Sequence, residues 1–363
     1  MVVAASGFDG RTALGDDGNT RLDRFERSEV HMATGVRVVV YASSQAAATA
    51  GIDAAFHRVK ELNDILSDYV EESELNRLCR SPSGQPVRLS QELFDVLDRS
   101  EFWRRESDGA FDVTAGPIIR LWRQARKTKR LPSPKQIVDA KALLGGDKIA
   151  LDSKARAAVL PTAGMRIDLG GIAKGYVGDE MLKVLAKHGL NRAMVVLGGD
   201  VVLGDPPPNA KGWTVAIAEL VKDRETFSLQ RSGLVLANCA ASTSGDASQY
   251  AVIDGKRYSH IVDPRTGEAQ VGRRQTTIVA KTGMDADALA TATTVLGPEL
   301  GAKLADKHQA AALFLSIDDG KRKEIEARKR FESSNQRWKD LPKVEWSENR
   351  EPARAINSSP PGL

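Results

Sequence analysis

The chain has 363 residues, 41% of them hydrophobic and 28% charged, enough for a large core and for two packed lobes. Lys and Arg number 52 against 48 Asp and Glu, a net charge of +4 that is too balanced for nucleic acid to be the main partner. The two cysteines, Cys79 and Cys239, lack CxxC spacing and indicate neither a zinc site nor a disulfide framework, and no apolar run is long enough to cross a membrane as a helix.

Residues 1–28 are rich in Gly, Asp and Arg without an apolar period, so a flexible lead-in is expected there, ahead of a domain over 29–318. Met1 to Asp17 lacks a basic start followed by an apolar core, and no export signal is expected from it. Val36 to Tyr41 reads as a strand. Ile52, Ala55, Phe56, Val59, Leu62, Ile65 and Leu66 keep helical spacing for a first long helix. Ser90 is the expected cap of a second, with Leu93, Val96 and Leu97 on one face, ending before Gly109. Arg120 to Lys135 holds seven basic residues and no acidic one, which reads as a solvated loop or helix face. Leu131 to Pro134, followed by a helix-like piece from Ile137 to Leu144, is expected to separate lobes at about 29–130 and 131–318. The second lobe reads as richer in strands, at Met165 to Leu169, Ala193 to Leu197, Trp213 to Ile217, Thr276 to Ala280 and Ala312 to Ile317, with Pro206 to Pro208 as an exposed turn. The charged tail, 319–363, is expected to be an appended helix followed by disorder, and Lys321 to Arg330 is again dense in basic residues.

The most informative run is Ile167 to Tyr176, Ile-Asp-Leu-Gly-Gly-Ile-Ala-Lys-Gly-Tyr, which sets a carboxylate, two adjacent glycines and a lysine within seven positions. Val177, Met181, Leu182 and Leu185 continue it as a helix up to Gly189, so Gly170 and Gly171 are expected at a strand-to-helix turn. Such a turn admits close backbone approach to a ligand, and the helix N-terminus behind it favours negative charge. A tight connection capped by Asp168 accounts for the same residues. The run is not a P-loop, because Lys174 precedes Gly175, and not a dinucleotide fingerprint, because its glycines adjoin.

Downstream, if Asp285 caps the helix that stops at Gly297, Asp287 and Thr291 lie four apart on one face. A carboxylate beside a hydroxyl suits a hard cation such as Mg²⁺, although Asp287 merely complementing the helix dipole is the simpler account. His260, before the Asp263-Pro264 turn, has the richest polar setting of the five histidines. An imidazole moves protons near neutral pH, but a lone histidine is more often structural. Gly198 to Asp200 and Thr243 to Asp246 follow apparent strand ends and suit either a ligand or an ordinary turn. Asp108 to Thr114 presents Phe111 and Asp112, which can frame a planar ligand, and Tyr69 adds an aromatic with a polar tip.

In this order, the clusters resemble the ApbE family, the FAD:protein FMN transferases formerly labelled thiamine biosynthesis lipoproteins. The resemblance runs from about Met32 to Gly297 in eight pieces: Met32 to Thr34, Leu66 to Tyr69 with Ser73 to Leu75, Asp108 to Pro117, Asp168 to Tyr176, Gly198 to Asp200, Thr243 to Asp246, His260 to Gly267 and Asp287 to Thr291. It implies an α+β fold of T-fold-like architecture, two α/β lobes with FAD in the cleft between them. It further implies that Met32, Tyr69, Ala110, Phe111 and Asp112 line the flavin side, and that Asp168, Lys174 and Val262 contact the rest of the dinucleotide. Mg²⁺ would be held by backbone carbonyls of Gly171 and Ala290 with Asp287 and Thr291. The implied reaction moves FMN from FAD, the substrate, to a Thr or Ser hydroxyl of an acceptor protein and releases AMP. For its base the residues offer His260, with Asp246 as runner-up. The implied acceptor is a subunit of a redox-driven membrane complex or a flavin-carrying domain, and the implied location is the periplasm or cell envelope. One departure is Ala33, where relatives usually have the glycine of Met-Gly-Thr. The alternatives are a Mg²⁺-dependent FAD pyrophosphatase giving FMN and AMP, and a flavin-binding protein without chemistry.

Overall fold

The computed structural model describes residues 21–145, 148–218, 229–246 and 249–317, with short strands at 2–4, 12–14, 324–325 and 343–345. The chain begins with β1 (Val2–Ala4), β2 (Thr12–Leu14), β3 (Arg21–His31) and β4 (Thr34–Ala42). Helices α1 (Gln45–Leu66) and α2 (Glu74–Arg80), strand β5 (Pro86–Arg88) and helix α3 (Gln91–Glu106) follow. A 3-10 turn, Val113–Ala115, feeds α4 (Gly116–Thr128), and α5 (Pro134–Ala142) lies beyond it. Next come β6 (Ala150–Asp152), β7 (Ala157–Val159), α6 (Ala173–Lys187), β8 (Ala193–Leu197), β9 (Asp200–Leu203), β10 (Trp213–Ala218), β11 (Leu229–Leu236) and β12 (Cys239–Gly245). The last described part holds β13 (Tyr250–Ile253), β14 (Lys256–Asp263), β15 (Glu268–Val271), β16 (Arg273–Ala280), α7 (Gly283–Lys307), β17 (Ala311–Ile317), β18 (Glu324–Ile325) and β19 (Lys343–Glu345).

Nine strands form one sheet in the order β18-β17-β16-β12-β9-β8-β4-β3-β2, with antiparallel neighbours throughout. Val36, Val38, Val39 and Val40 of β4 are fully buried. A continuous buried run, rather than alternation, means that both faces of this central strand are covered. Each such valine contributes about 1.5–3 kcal/mol by leaving water. Trp213 of β10 packs on Tyr41 with ring centroids 5.9 Å apart, which brings the four-stranded sheet β1-β10-β11-β19 onto the same core. The α+β class is therefore as expected.

Several expectations change in detail. The lead-in foreseen over 1–28 already carries β3 from Arg21, which pairs with β4 from Asp23 to His31. Its charged sequence shows no apolar period because it is held by the ladder and by ion pairs such as Arg27 with Asp53 at 2.6 Å. The boundary near residue 130 does not divide the sheet, since β4 from before it pairs with β8 from after it. Met165 to Leu169, expected as a strand, has no regular secondary structure. Its Asp168 N–H donates to Val113 O at 2.8 Å and its Ile167 N–H to Cys79 Sγ at 3.4 Å. Thr282, not Asp285, caps α7, its hydroxyl accepting from Asp285 N–H at 3.2 Å. Asp285 instead accepts from Arg99 Nε at 2.6 Å and Trp103 Nε1 at 2.9 Å. Gly297 does interrupt α7, at φ 76°, but the helix resumes at Pro298. The appended helix and the second basic run of the tail lie largely outside the described residues; the described parts of that tail are β18 and β19.

Candidate active site

The site is built where α6 and α7 cross with their backbones in contact. A Cβ on Gly175 would lie 2.0 Å from Gly283 O, so only glycine permits the crossing. From α6, the Asp179 carboxylate accepts the free N–H groups at the start of α7, Gly283 at 2.7 Å and Met284 at 2.9 Å. Burial outweighs those two bonds and pushes Asp179 up to about 6. One turn into α7, Asp287 Oδ2 accepts from Gly175 N–H at 3.2 Å.

Lys174 stands between two buried aspartates, Nζ being 3.2 Å from Asp287 Oδ2 and 3.2 Å from Asp200 Oδ2, and it donates to Gly170 O at 3.0 Å. Asp200 opens β9 and is fixed by the hydroxyl of Ser242 from β12. Burial opposes the charge on Lys174, yet the two carboxylates prevail and hold it above the usual lysine range. Burial and then Asp200 push Asp287 up, against the pull of Lys174. Two carboxylates thus share one ammonium, and the cluster has a deficit of positive charge.

The Thr291 hydroxyl, one turn beyond Asp287, makes no hydrogen bond among the described residues. A Cβ on Gly171 would come within 2.9 Å of Thr291 Oγ1 and 3.2 Å of Phe111 Cε2. Gly171, Thr291, Asp287 and the ring of Phe111 are therefore brought together. Hard oxygen donors beside an uncompensated carboxylate fit Mg²⁺. The Ala290 carbonyl is already engaged by Thr294 Oγ1 at 2.7 Å and Thr293 Oγ1 at 3.3 Å, which makes it the least available of the four expected donors.

On the other side of the glycine turn, Asp168 Oδ1 accepts from Gly170 N–H at 2.9 Å and Oδ2 from Arg123 at 2.6 Å. Arg123 also donates to Asp68 at 2.6 Å and lies 4.8 Å from the ring centroid of Tyr69, which is 73% exposed. Burial and then Asp68 raise the Asp168 carboxyl, against Arg123. The basic run expected to be a solvated face thus contributes Arg123 to the site, with Arg126 one turn further along the same helix. Their three-residue spacing around the buried Trp122 and Ala125 carried that signal.

His260 in β14 binds Gln249 O through Nδ1 at 3.2 Å. A carbonyl only accepts, so Nδ1 carries the proton and Nε2 keeps its lone pair. Burial, followed by the charge of Arg126, pushes His260 down to about 4, with Lys174 and Arg123 adding to the effect. These surroundings favour the neutral imidazole. Asp246 is buried and paired with Arg257 Nε, and its Oδ1 has no hydrogen-bond partner among the described residues; burial raises it while Arg257 and Arg273 oppose. The groups acting on it belong to the hairpin β13–β14 and to β16, not to Lys174.

The remaining expected residues are spread around this centre. Ala110 is buried against Ile261 and Val295. Asp112 is committed to the turn before α4, accepting from Thr114 N–H at 2.8 Å and Thr114 Oγ1 at 2.7 Å. Val262 is packed in a separate cluster with Trp122 and Tyr258. Met32 and Ala33 form the β3–β4 turn at φ 50° and 56°, beside Gly198, whose N–H donates to Gly35 O at 3.1 Å. Ala33 thus takes a left-handed conformation that glycine adopts without strain. Asp200 and Asp68 lay within the sequence clusters noted above, but neither spacing nor residue type marked them as partners of Lys174 and Arg123.

The sequence profile of the ApbE family matches residues 32–314. The FAD:protein FMN transferase of Haemophilus influenzae is 31% identical over 269 residues, 72% of this chain and 77% of that protein. The FAD:protein FMN transferase of Treponema pallidum is 31% identical over 319 residues, covering 83% and 87%. Among solved structures, the flavin transferase ApbE from Vibrio cholerae superposes with a TM-score of 0.72 at 28% identity, over 82% of this chain and 95% of that one. The ApbE protein of Thermotoga maritima gives a TM-score of 0.72 at 29% identity, over 85% and 99%.

Proposed function

Because the chain belongs to the ApbE family, we propose that it is an FAD:protein FMN transferase that works through the Lys174, Asp287 and His260 group. The enzyme moves FMN from FAD to a hydroxyl of an acceptor protein. The acceptor Thr or Ser oxygen bonds to the FMN phosphorus, the bond from that phosphorus to the bridging oxygen breaks, and AMP leaves with that oxygen. The hydroxyl proton goes to His260 Nε2, which the Gln249 carbonyl keeps unprotonated by fixing the tautomer. Lys174, held cationic by two aspartates, stabilises the charge that builds on the phosphate oxygens.

Asp287, Thr291 and the Gly171 carbonyl would hold Mg²⁺, with Ala290 as a weaker donor. When bound, the ion supplies Lewis-acid stabilisation to the same oxygens. Tyr69, Phe111, Ala110, Met32 and Asp112 are assigned to the flavin side, and Asp168 and Val262 to the rest of FAD. Asp246, tied to Arg257, is the weaker base. The observation that carries this reading is an ammonium shared by two buried carboxylates beside a free threonine hydroxyl and a side-chain-free turn.

The test incubates the protein with FAD, Mg²⁺ and a protein bearing an exposed Thr, then follows in-gel flavin fluorescence and AMP. Labelling with stoichiometric AMP is expected; FMN and AMP without labelled protein would make it a pyrophosphatase. Asp287→Ala should abolish labelling while the fold is retained by circular dichroism. Wild-type labelling by that variant at limiting Mg²⁺ would remove Asp287 from the metal site.

A further inference from the structure

We propose that Arg126 binds the phosphoryl group that is transferred, donating from its guanidinium to an oxygen of the FMN phosphate; this rests on the flavin-transferase reading above. Arg126 lies one turn after Arg123 on α4, on the same side of the helix. The two arginines differ in what holds them. Arg123 spends both terminal nitrogens on carboxylates, Asp68 and Asp168, each at 2.6 Å. Arg126 has a terminal nitrogen, Nη1, that is buried and has no hydrogen-bond partner among the described residues.

A buried guanidinium nitrogen without an acceptor weakens the folded protein, and burial together with the neighbouring Arg123 lowers the Arg126 pKa. Such a group is explained when a ligand brings the missing oxygen, because a functional site retains what stability alone would discard. A planar guanidinium with several N–H donors matches phosphate oxygens.

The neighbours identify which phosphate. Arg123 carries the exposed ring of Tyr69 at 4.8 Å, on the side assigned to the flavin. Arg126 is also the leading charge acting on His260, ahead of Lys174. With the flavin assigned to the side of Tyr69 and Arg123, the next guanidinium along that face of α4 falls at the phosphate on the flavin half, that of FMN, rather than at the departing adenylate. In the free protein the same cation helps to keep His260 unprotonated. Arg126 is therefore a binding and positioning residue with two effects on one reaction.

Arg126→Gln in the full chain tests this, with FAD, FMN and riboflavin as fluorescent probes in equilibrium titrations. FAD and FMN should each bind roughly 10- to 100-fold more weakly, the loss of one charge-assisted hydrogen bond, while riboflavin, which has no phosphate, binds as in wild type. The free variant should melt no lower than wild type, because a buried guanidinium nitrogen without an acceptor has been removed, and the rise in melting temperature on adding FAD should shrink. Arg126→Lys should restore part of the FMN affinity. Unchanged FAD and FMN affinity, or an equal loss for riboflavin, would overturn the proposal. Wild-type protein that binds FAD and FMN but labels no acceptor would instead overturn the transferase reading and leave the phosphate contact standing.

Discussion

The side chain on which most of the site turns is Lys174, and its neighbours explain why a charged group is tolerated there. Asp200 and Asp287 are each almost wholly buried, and either left alone would carry an uncompensated charge away from water. Lys174→Met should therefore lower stability by about 3 kcal/mol, the scale of breaking a buried pair. It should also make the protein more responsive to Mg²⁺, because the cation would then face two carboxylates without a competitor. Urea unfolding in EDTA and in MgCl₂ measures both effects. If the variant unfolds like wild type in EDTA, Lys174 does not balance the two aspartates. The sequence made Lys174 and Asp287 legible as chemistry-bearing residues because each sits in a short, unusual run. Asp200 was not legible as their partner, since a Gly-Gly-Asp turn looks the same whether its carboxylate faces solvent or an ammonium.

At the scale of elements, the crossing of α6 and α7 decides where Asp287 points. Gly175 and Gly283 let the helices meet backbone to backbone, and Asp179 pins the first turn of α7, so that Asp287 falls against Gly175 N–H. Gly175→Ala would force a methyl within 2.0 Å of Gly283 O and should lower stability by about 3 kcal/mol or more, with loss of flavin transfer even where the variant still folds. Gly297→Ala is the matched control. It has open space around it but φ 76°, so it should cost about 1 kcal/mol and leave the rate of flavin transfer unchanged at a temperature where both proteins are folded. Equal losses of activity in the two variants would mean that the crossing has no special part in placing Asp287. Helix spacing in the sequence predicted both helices and the break at Gly297. It missed the cap, because Asp285 and Thr282 are both good capping residues and only the pull of Arg99 and Trp103 on Asp285 decides between them. It read Met165 to Leu169 as a strand for a similar reason: apolar alternation reports burial, and Cys79 and Val113 supply the backbone partners that a strand would otherwise need.

For the whole molecule, two partly buried groups on different elements make stability depend on pH in opposite senses. His260 is pushed down to about 4, so between that value and its unfolded value near 6.5 the unfolded chain holds a proton that the folded protein lacks. Its contribution is intact above that window and is lost as pH falls through it. Asp179 is raised to about 6, so between an unfolded value near 3.9 and 6 the folded protein holds the extra proton, and its contribution falls as pH rises. Near pH 5 the two slopes, each at most about 1.4 kcal/mol per pH unit, oppose one another. Removing one group should expose the other. Asp179→Asn should give a protein whose stability rises more steeply from pH 4 to 6 than wild type, and His260→Gln one whose stability rises less steeply or falls. The difference between the two variants is the informative quantity, because all remaining ionisable groups are common to both and the two sites lie on separate elements. Denaturant unfolding at pH 4, 5 and 6 measures it. Parallel curves for the two variants would mean that the imidazole is not held neutral by its surroundings, and the assignment of His260 Nε2 as a ready base would fall with it.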